Sequence, residues 1–280
     1  MKSRTRTVFW MSVLTVLFVW LGSVVGGRQG AVIAFIMAGL MNFWAYWFSD
    51  KIILKRYRSH EVGPKDNSRL YNIVASLASR ADLPMPKVFV IPEANPNAFA
   101  TGRDPKHAAV AATEGLLQLL DDDELAGVMA HELTHVKNKD TLTSTIAATF
   151  AGAIALMAQM ARFSARDARR RQNPLVGLIV LIGAPFAGML IRMLISRIRE
   201  YAADEGGARI SQKPLSLAGA LAKLNQGVKK FPLARGNPAH AHLFIVNPFF
   251  GGLQNLFATH PPIEERIRRL QFMSQKLDRV

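Results

Sequence analysis

His131-Glu132-Leu133-Thr134-His135 is the segment of this chain whose residue types and spacing carry the sharpest chemistry. Histidines four positions apart on a helix stand one turn apart on one face, so both imidazoles can reach a single ion. Glu132 is offset by one position, which puts its carboxylate beside that ion, where it can take a proton from a metal-bound water. Zinc brings the pKa of such a water to about 7 and so makes hydroxide available at neutral pH. A catalytic zinc also needs a third protein ligand and one open position. The chain has no Cys, so that ligand must be His, Glu or Asp, and no disulfide braces the fold. Further along, Glu200 and Asp204 again stand four positions apart. Glu200 can complete the ligand set, and Asp204 can accept the free ring N–H of a ligand histidine. Glu205 offers another carboxylate, and spacing alone leaves open the choice between these residues and an exposed charged turn.

The elements that must position these groups are readable on both sides of the motif. Residues 68–81 place Leu70, Ile73, Val74, Leu77 and Ala78 at helical spacing. Residues 87–91, Lys-Val-Phe-Val-Ile, read as a short β-branched strand ended by Pro92. Residues 97–101 and 107–113 read as two further strands joined by the hairpin-type connection Gly102-Arg103-Asp104-Pro105-Lys106. The acidic run Asp121-Asp122-Asp123-Glu124 then opens the motif helix, with Asp121 as N-cap and Glu124 three residues on, as in a capping box. Beyond Glu200, residues 215–224 read as a helix and residues 231–257 as mostly loop, with apolar residues 243–246 as a buried segment. Residues 262–277 read as an amphipathic helix with Ile263, Ile267, Leu270 and Leu277 on one face and Arg266, Arg268 and Arg269 elsewhere. His60, His107, His240 and His242 have no partner spacing and carry no assigned role.

Composition sets the frame. The 280 residues are 50% hydrophobic, yet 35 Lys+Arg against 20 Asp+Glu leave a formal charge of +15. The charge is displaced rather than spread, because residues 7–27, 29–49, 141–161 and 172–191 contain no Lys, Arg, Asp or Glu. A bilayer-spanning helix needs roughly 20 apolar residues. An ordinary soluble domain and a disordered chain are therefore both excluded. Residues 8–26 and 30–48 read as a hairpin of two spans rather than a cleaved signal, since a second apolar run follows after only the stretch Gly26-Gly27-Arg28-Gln29-Gly30. The second run closes on Phe43, Trp44, Tyr46, Trp47 and Phe48, an aromatic belt, followed by Lys51, Lys55, Arg56 and Arg58. By the positive-inside rule the N-terminus and the segment that begins at Asp50 face the cytoplasm. Residues 141–161 and 174–191 form a second hydrophobic hairpin that flanks the candidate ligands. Full insertion is the expectation on length, with interfacial embedding as the rival, because the intervening loop carries a net charge of +4. The motif helix is expected to run directly into the third hydrophobic segment. The chain thus divides into a hairpin, residues 1–50, and a peptidase-like part, residues 51–280, interrupted by the second hairpin. No nucleic-acid module accompanies the positive charge, much of which borders the hydrophobic segments, so nucleic acid is not the expected partner.

Taken together, His131–His135, Glu200-Tyr-Ala-Ala-Asp204, Asn97-Ala-Phe-Ala-Thr and Thr259-His260-Pro261-Pro262, in this order around paired hydrophobic segments, resemble the HtpX family of membrane zinc metalloproteases, distant relatives of the CAAX prenyl proteases. The resemblance covers essentially the whole chain. It implies a gluzincin-type site with one zinc: His131, His135 and Glu200 as ligands, Glu132 as general base and Asp204 orienting a ligand histidine. It implies an α+β, mainly helical membrane protein with transmembrane helices and a zincin-like catalytic domain built on a small β-sheet. It further implies a multi-pass bacterial inner-membrane enzyme, active on the cytoplasmic side in quality control of misfolded or damaged membrane proteins, often under stress. A peptidase must hold an extended substrate backbone, most economically as a strand added to a sheet edge. Asn97 and Ala98 open the segment that resembles the family's edge strand and are the candidate substrate contacts, with a turn cap as the plainer role for Asn97. His260 is the candidate hydrogen-bond donor to the tetrahedral oxyanion, or else simply precedes the helix that Pro262 opens. A membrane-anchored zinc scaffold without hydrolysis is the alternative, and Glu132 argues against it because metal binding alone does not need that residue.

Overall fold

A computed structural model of the chain describes residues 3–66, 68–142, 197–230, 245 and 261–277. The chain divides into two compact units, the first containing Met1–Phe48 and the second containing Ser49–Leu142 and Ile195–Val280. Apart from Thr141 and Leu142, the expected spans at 141–161 and 174–191, the loop between them and His260 lie outside the described residues.

Helix α1 runs over Ser3–Arg56. Gly27, at φ +59°, interrupts its regular path, in a conformation open to glycine at little cost. Asn42 Nδ2 donates to Thr15 Oγ1 over 3.1 Å, although the two are 27 residues apart. In a straight helix that separation would be about 40 Å, so the two halves fold back on each other. Gly27–Phe48 is long and apolar enough to cross a membrane, and Met11–Ser23 is a shorter apolar stretch. Only one described segment therefore reaches spanning length, where the sequence pattern led us to expect two spans here.

In the second unit the sheet order is β1-β2-β4-β3, with β1 His60–Val62, β2 Lys87–Ile91, β3 Ala98–Gly102 and β4 Ala108–Thr113. β2 and β4 are parallel, while β1 pairs antiparallel with β2 and β3 antiparallel with β4. The alternation in β4 explains why it sits inside. Ala108, Val110 and Ala112 pack toward the main helical core, and Ala109 and Ala111 toward Ile91, Phe99 and Leu54. The short β1, two of whose three residues are exposed, was not legible as a strand. β3 lies at the sheet edge. The Thr113 N–H donates to Asn97 C=O, and antiparallel alternation then turns the backbone groups of Ala98, Ala100 and Gly102 outward from β4.

Helix α2, Arg69–Arg80, is capped by Ser68 and buries Leu70, Val74, Leu77 and Ala78, the face its periodicity predicts. A short helix α3, Glu114–Leu119, follows β4 directly. Helix α4, Asp122–Asn138, starts on a complete capping box in which Asp121 accepts from the Glu124 N–H and Glu124 from the Asp121 N–H. It ends at Lys139, in the left-handed region at φ 58°. The expected continuous run into the third hydrophobic segment is thus broken, and the chain re-enters helical geometry only at Asp140. Helices α5, Arg197–Ser211, α6, Pro214–Lys230, and α7, Ile263–Leu277, complete the unit. Both α5 and α6 pack on α4, which leaves the motif helix buried from Gly127 to Thr134.

Candidate metal centre

α4 carries His131 and His135 one turn apart, and their Nε2 atoms face each other at 3.2 Å. α5 brings Glu200 against them: Oε2 lies 3.7 Å from His131 Nε2, and Oε1 lies 3.6 Å from His135 Nε2. These three residues form the cluster of potential metal ligands among the described residues. Two nitrogens each about 2.05 Å from one tetrahedral ion stand about 3.3 Å apart. The observed spacing fits a zinc-sized ion with little adjustment, and nitrogen and carboxylate donors suit zinc.

The close approach of α5 to α4 has a local cause. Glu200, Ala203, Asp204, Gly207 and Ala208 share one face of α5, and the last four are small or short enough for the helices to touch. A Cβ on Gly207 would fall 2.8 Å from His131 N and 2.9 Å from His131 Cα. Glu205 lies on the opposite face, exposed and ion-paired to Arg209 at 2.6 Å. That rotation along α5 separates the two carboxylates that sequence spacing left as alternatives.

Both histidines have a carboxylate behind them. Asp204 Oδ1 lies 3.0 Å from His131 Nδ1. Asp140 Oδ2 lies 3.4 Å from His135 Nδ1, and Arg199 stands 3.8 Å from Asp140. Asp140 was not foreseen. It comes within reach of His135, five positions earlier, across the left-handed residue Lys139, and no helical spacing signals that. Asp204 is itself gripped by Arg266 of α7, at 2.8 Å from Nε and 2.7 Å from Nη2. Periodicity placed Arg266 off the apolar face of its helix, yet its side chain is fully buried.

The electrostatics follow from this packing. Burial pushes the Glu132 carboxyl above its ordinary range, against the pull of His131 and His135, and the Ala100 backbone N–H of β3 donates to it. Burial alone would lower His135, but the Asp140 hydrogen bond and the charges of Glu200 and Glu132 outweigh it and raise the imidazole to about 9. Burial likewise opposes ionisation of Asp204. The Arg266 charge and hydrogen bonds, with His131, overcome it and hold Asp204 at about 2.

Asn97 and Ala98 lie at the start of edge strand β3. The Asn97 Oδ1 accepts from the Ile245 N–H at 3.2 Å, and the Asn97 N–H donates to Thr113 Oγ1 at 2.9 Å. The Ala98 backbone is turned away from β4.

Two histidines and a glutamate converge from a capped helix and a second helix, with a buried glutamate beside them and a sheet edge alongside, an arrangement compatible with a metal-dependent hydrolase. Peptidase family M48 matches residues 64–274. A "Protease HtpX homolog" of Syntrophotalea carbinolica is 54% identical over 277 residues, covering 96% of this chain and 98% of that protein. Proteins of the same description from Desulforapulum autotrophicum, at 53%, and Burkholderia thailandensis, at 50%, cover 97% and 96% of this chain and 90% and 96% of their own lengths. The crystal structure of S. mikatae Ste24p superposes with a TM-score of 0.53 at 18% identity, covering 96% of this chain and 64% of that one. The chain thus spans about two thirds of the length of that structural neighbour, and the likeness concerns the fold. The chain belongs to peptidase family M48: it is a metalloprotease, and among the described residues one helical segment, Gly27–Phe48, is long and apolar enough to cross a membrane.

Proposed function

We propose that this protein is a membrane-embedded zinc endopeptidase in which His131, His135 and Glu200 hold the metal and Glu132 is the general base. The observation that carries this reading is the 3.2 Å separation of the two Nε2 atoms with both Glu200 oxygens within 3.7 Å of them. When bound, zinc polarises a water and the scissile carbonyl and brings the water's pKa to about 7.

The remaining steps belong to the chain. Glu132 accepts the water's proton on its carboxylate and returns it to the departing amine nitrogen. Its burial supports that role, because a carboxyl raised above its ordinary range takes and gives a proton nearer neutral pH. Asp204 and Asp140 hold the two imidazole rings from behind. The substrate backbone adds to β3, where the outward groups of Ala98 face it and Asn97 sets the start of the strand. His260 serves as the donor that stabilises the oxyanion.

The substrates are polypeptides, with misfolded or damaged membrane proteins as the physiological class. The hairpin of residues 1–50 and the second hydrophobic pair, 141–161 and 174–191, seat the peptidase part, 51–280, in the inner membrane with its site toward the cytoplasm. The basic cluster Lys51–Arg58 beside the apolar stretch supports that orientation.

The test compares wild type and Glu132→Gln, both purified with zinc, on an unfolded casein-like substrate. Wild type is expected to cleave the substrate or itself, while Glu132→Gln keeps its zinc and is inert. Equal cleavage by both removes the general-base assignment, and no cleavage by either with zinc bound favours the scaffold reading.

A further inference from the structure

The largest fully buried side chain among the described residues is a cation. Arg266, in the first turn of α7, is 0% exposed. A guanidinium taken out of water is tolerated only where its donors are met, and here they are met on several sides. Nε and Nη2 grip the two oxygens of Asp204 at 2.8 and 2.7 Å, and Nη1 donates to the Ile245 C=O at 3.2 Å. Nη1 also stands 3.8 Å from Glu200 Oε2. The cation therefore lies between two carboxylates one turn apart on α5, where their mutual repulsion would otherwise turn them away from each other. Ile245 in turn donates its N–H to Asn97 Oδ1, so the plane of the guanidinium is anchored to α5 on one side and, through Ile245, to the start of β3 on the other.

We propose that Arg266 is a positioning residue of the metal centre: its two-pronged grip fixes the Asp204 carboxylate against the Nδ1 side of His131, which leaves His131 Nε2 aimed at the ion. Without the grip, Asp204 is free to rotate about its side-chain bonds, and the ring it faces loses its fixed orientation. A lysine cannot substitute, because a point charge with no planar fork meets only one carboxylate oxygen at a time. This role rests on the metal-site reading above.

The test uses the full chain in detergent, with cobalt(II) in place of zinc, and reads the cobalt absorption bands and metal affinity by chelator competition. Arg266→Lys is expected to bind cobalt 10- to 100-fold more weakly, with shifted bands and unchanged far-ultraviolet dichroism. If Arg266 acts through Asp204, the neutral pair Arg266→Gln with Asp204→Asn loses no more affinity than Asp204→Asn alone. That comparison decides the matter even if Arg266→Lys fails to fold, because the neutral pair leaves neither member of the ion pair charged. A wild-type spectrum and affinity in Arg266→Lys overturn the proposal, as does a double variant at least tenfold weaker than Asp204→Asn. A wild-type chain that takes up no cobalt overturns the metal site itself and this role with it.

Discussion

Replacing Gly207 by alanine separates helix propensity from helix packing. In an unconstrained helix the change would stabilise by about 1 kcal/mol. Here the new Cβ would meet His131 N at 2.8 Å, His131 Cα at 2.9 Å and Ala130 C at 3.2 Å, all backbone atoms in the middle of α4. Carbon contacts settle near 3.5 Å, so α5 must retreat by about 0.7 Å. Overpacking of this kind costs about 1–3 kcal/mol and reverses the sign expected from propensity. The retreat also carries Glu200, two turns earlier on the same face, away from the two Nε2 atoms it now approaches to 3.6 and 3.7 Å. Metal–ligand distances tolerate only about 0.2 Å, so metal is lost before the fold is. The assay is zinc per chain by mass spectrometry, alongside thermal unfolding of the same preparation. Gly219→Ala on α6 is the control, since its Cβ would meet no backbone atom and only Oε1 of the Glu124 side chain, at 3.2 Å, and should leave the zinc content unchanged. A Gly207→Ala protein with full zinc and an unchanged melting temperature refutes the argument that close helix approach sets the ligand spacing.

Three further outcomes follow from the same geometry. Asp140→Asn weakens the charge behind His135 and should lower metal affinity 10- to 100-fold in a chelator competition, with the fold retained. Metal uptake should strengthen with pH: a His135 raised to about 9 must shed its proton before its Nε2 can bind, so affinity should climb about tenfold per unit between pH 7 and 9, and a flat profile in that window would contradict the raised imidazole. Asp121→Ala removes one half of the capping box on α4 and should cost about 1 kcal/mol in chemical denaturation, with no change in metal content at low denaturant.

What could be read from residue order alone is what depends on neighbours within a turn or a strand. The capping box at Asp121 and Glu124, the apolar face of α2, the strands around residues 87–91, 98–102 and 108–113, and the pairing of His131 with His135 are all set by local periodicity and local hydrogen bonds. The relation between α4 and α5 is not, because more than 60 residues separate His135 from Glu200. Spacing along α5 offered Glu200 as ligand and Asp204 behind a ligand histidine but left Glu205 as an alternative, and only the side of the helix that Gly207 and Ala208 press against α4 sets Glu205 aside. The same holds for Asp140, within reach of His135 across one left-handed residue, and for Arg266. Arg266 was set apart from the apolar residues of its helix by residue type, since hydrophobicity counts it as polar and cannot register a buried partner such as Asp204 supplied by another helix. The ligand types were thus written into the chain, while the selection among them, and the charges that hold them in place, arise from how closely the helices can approach.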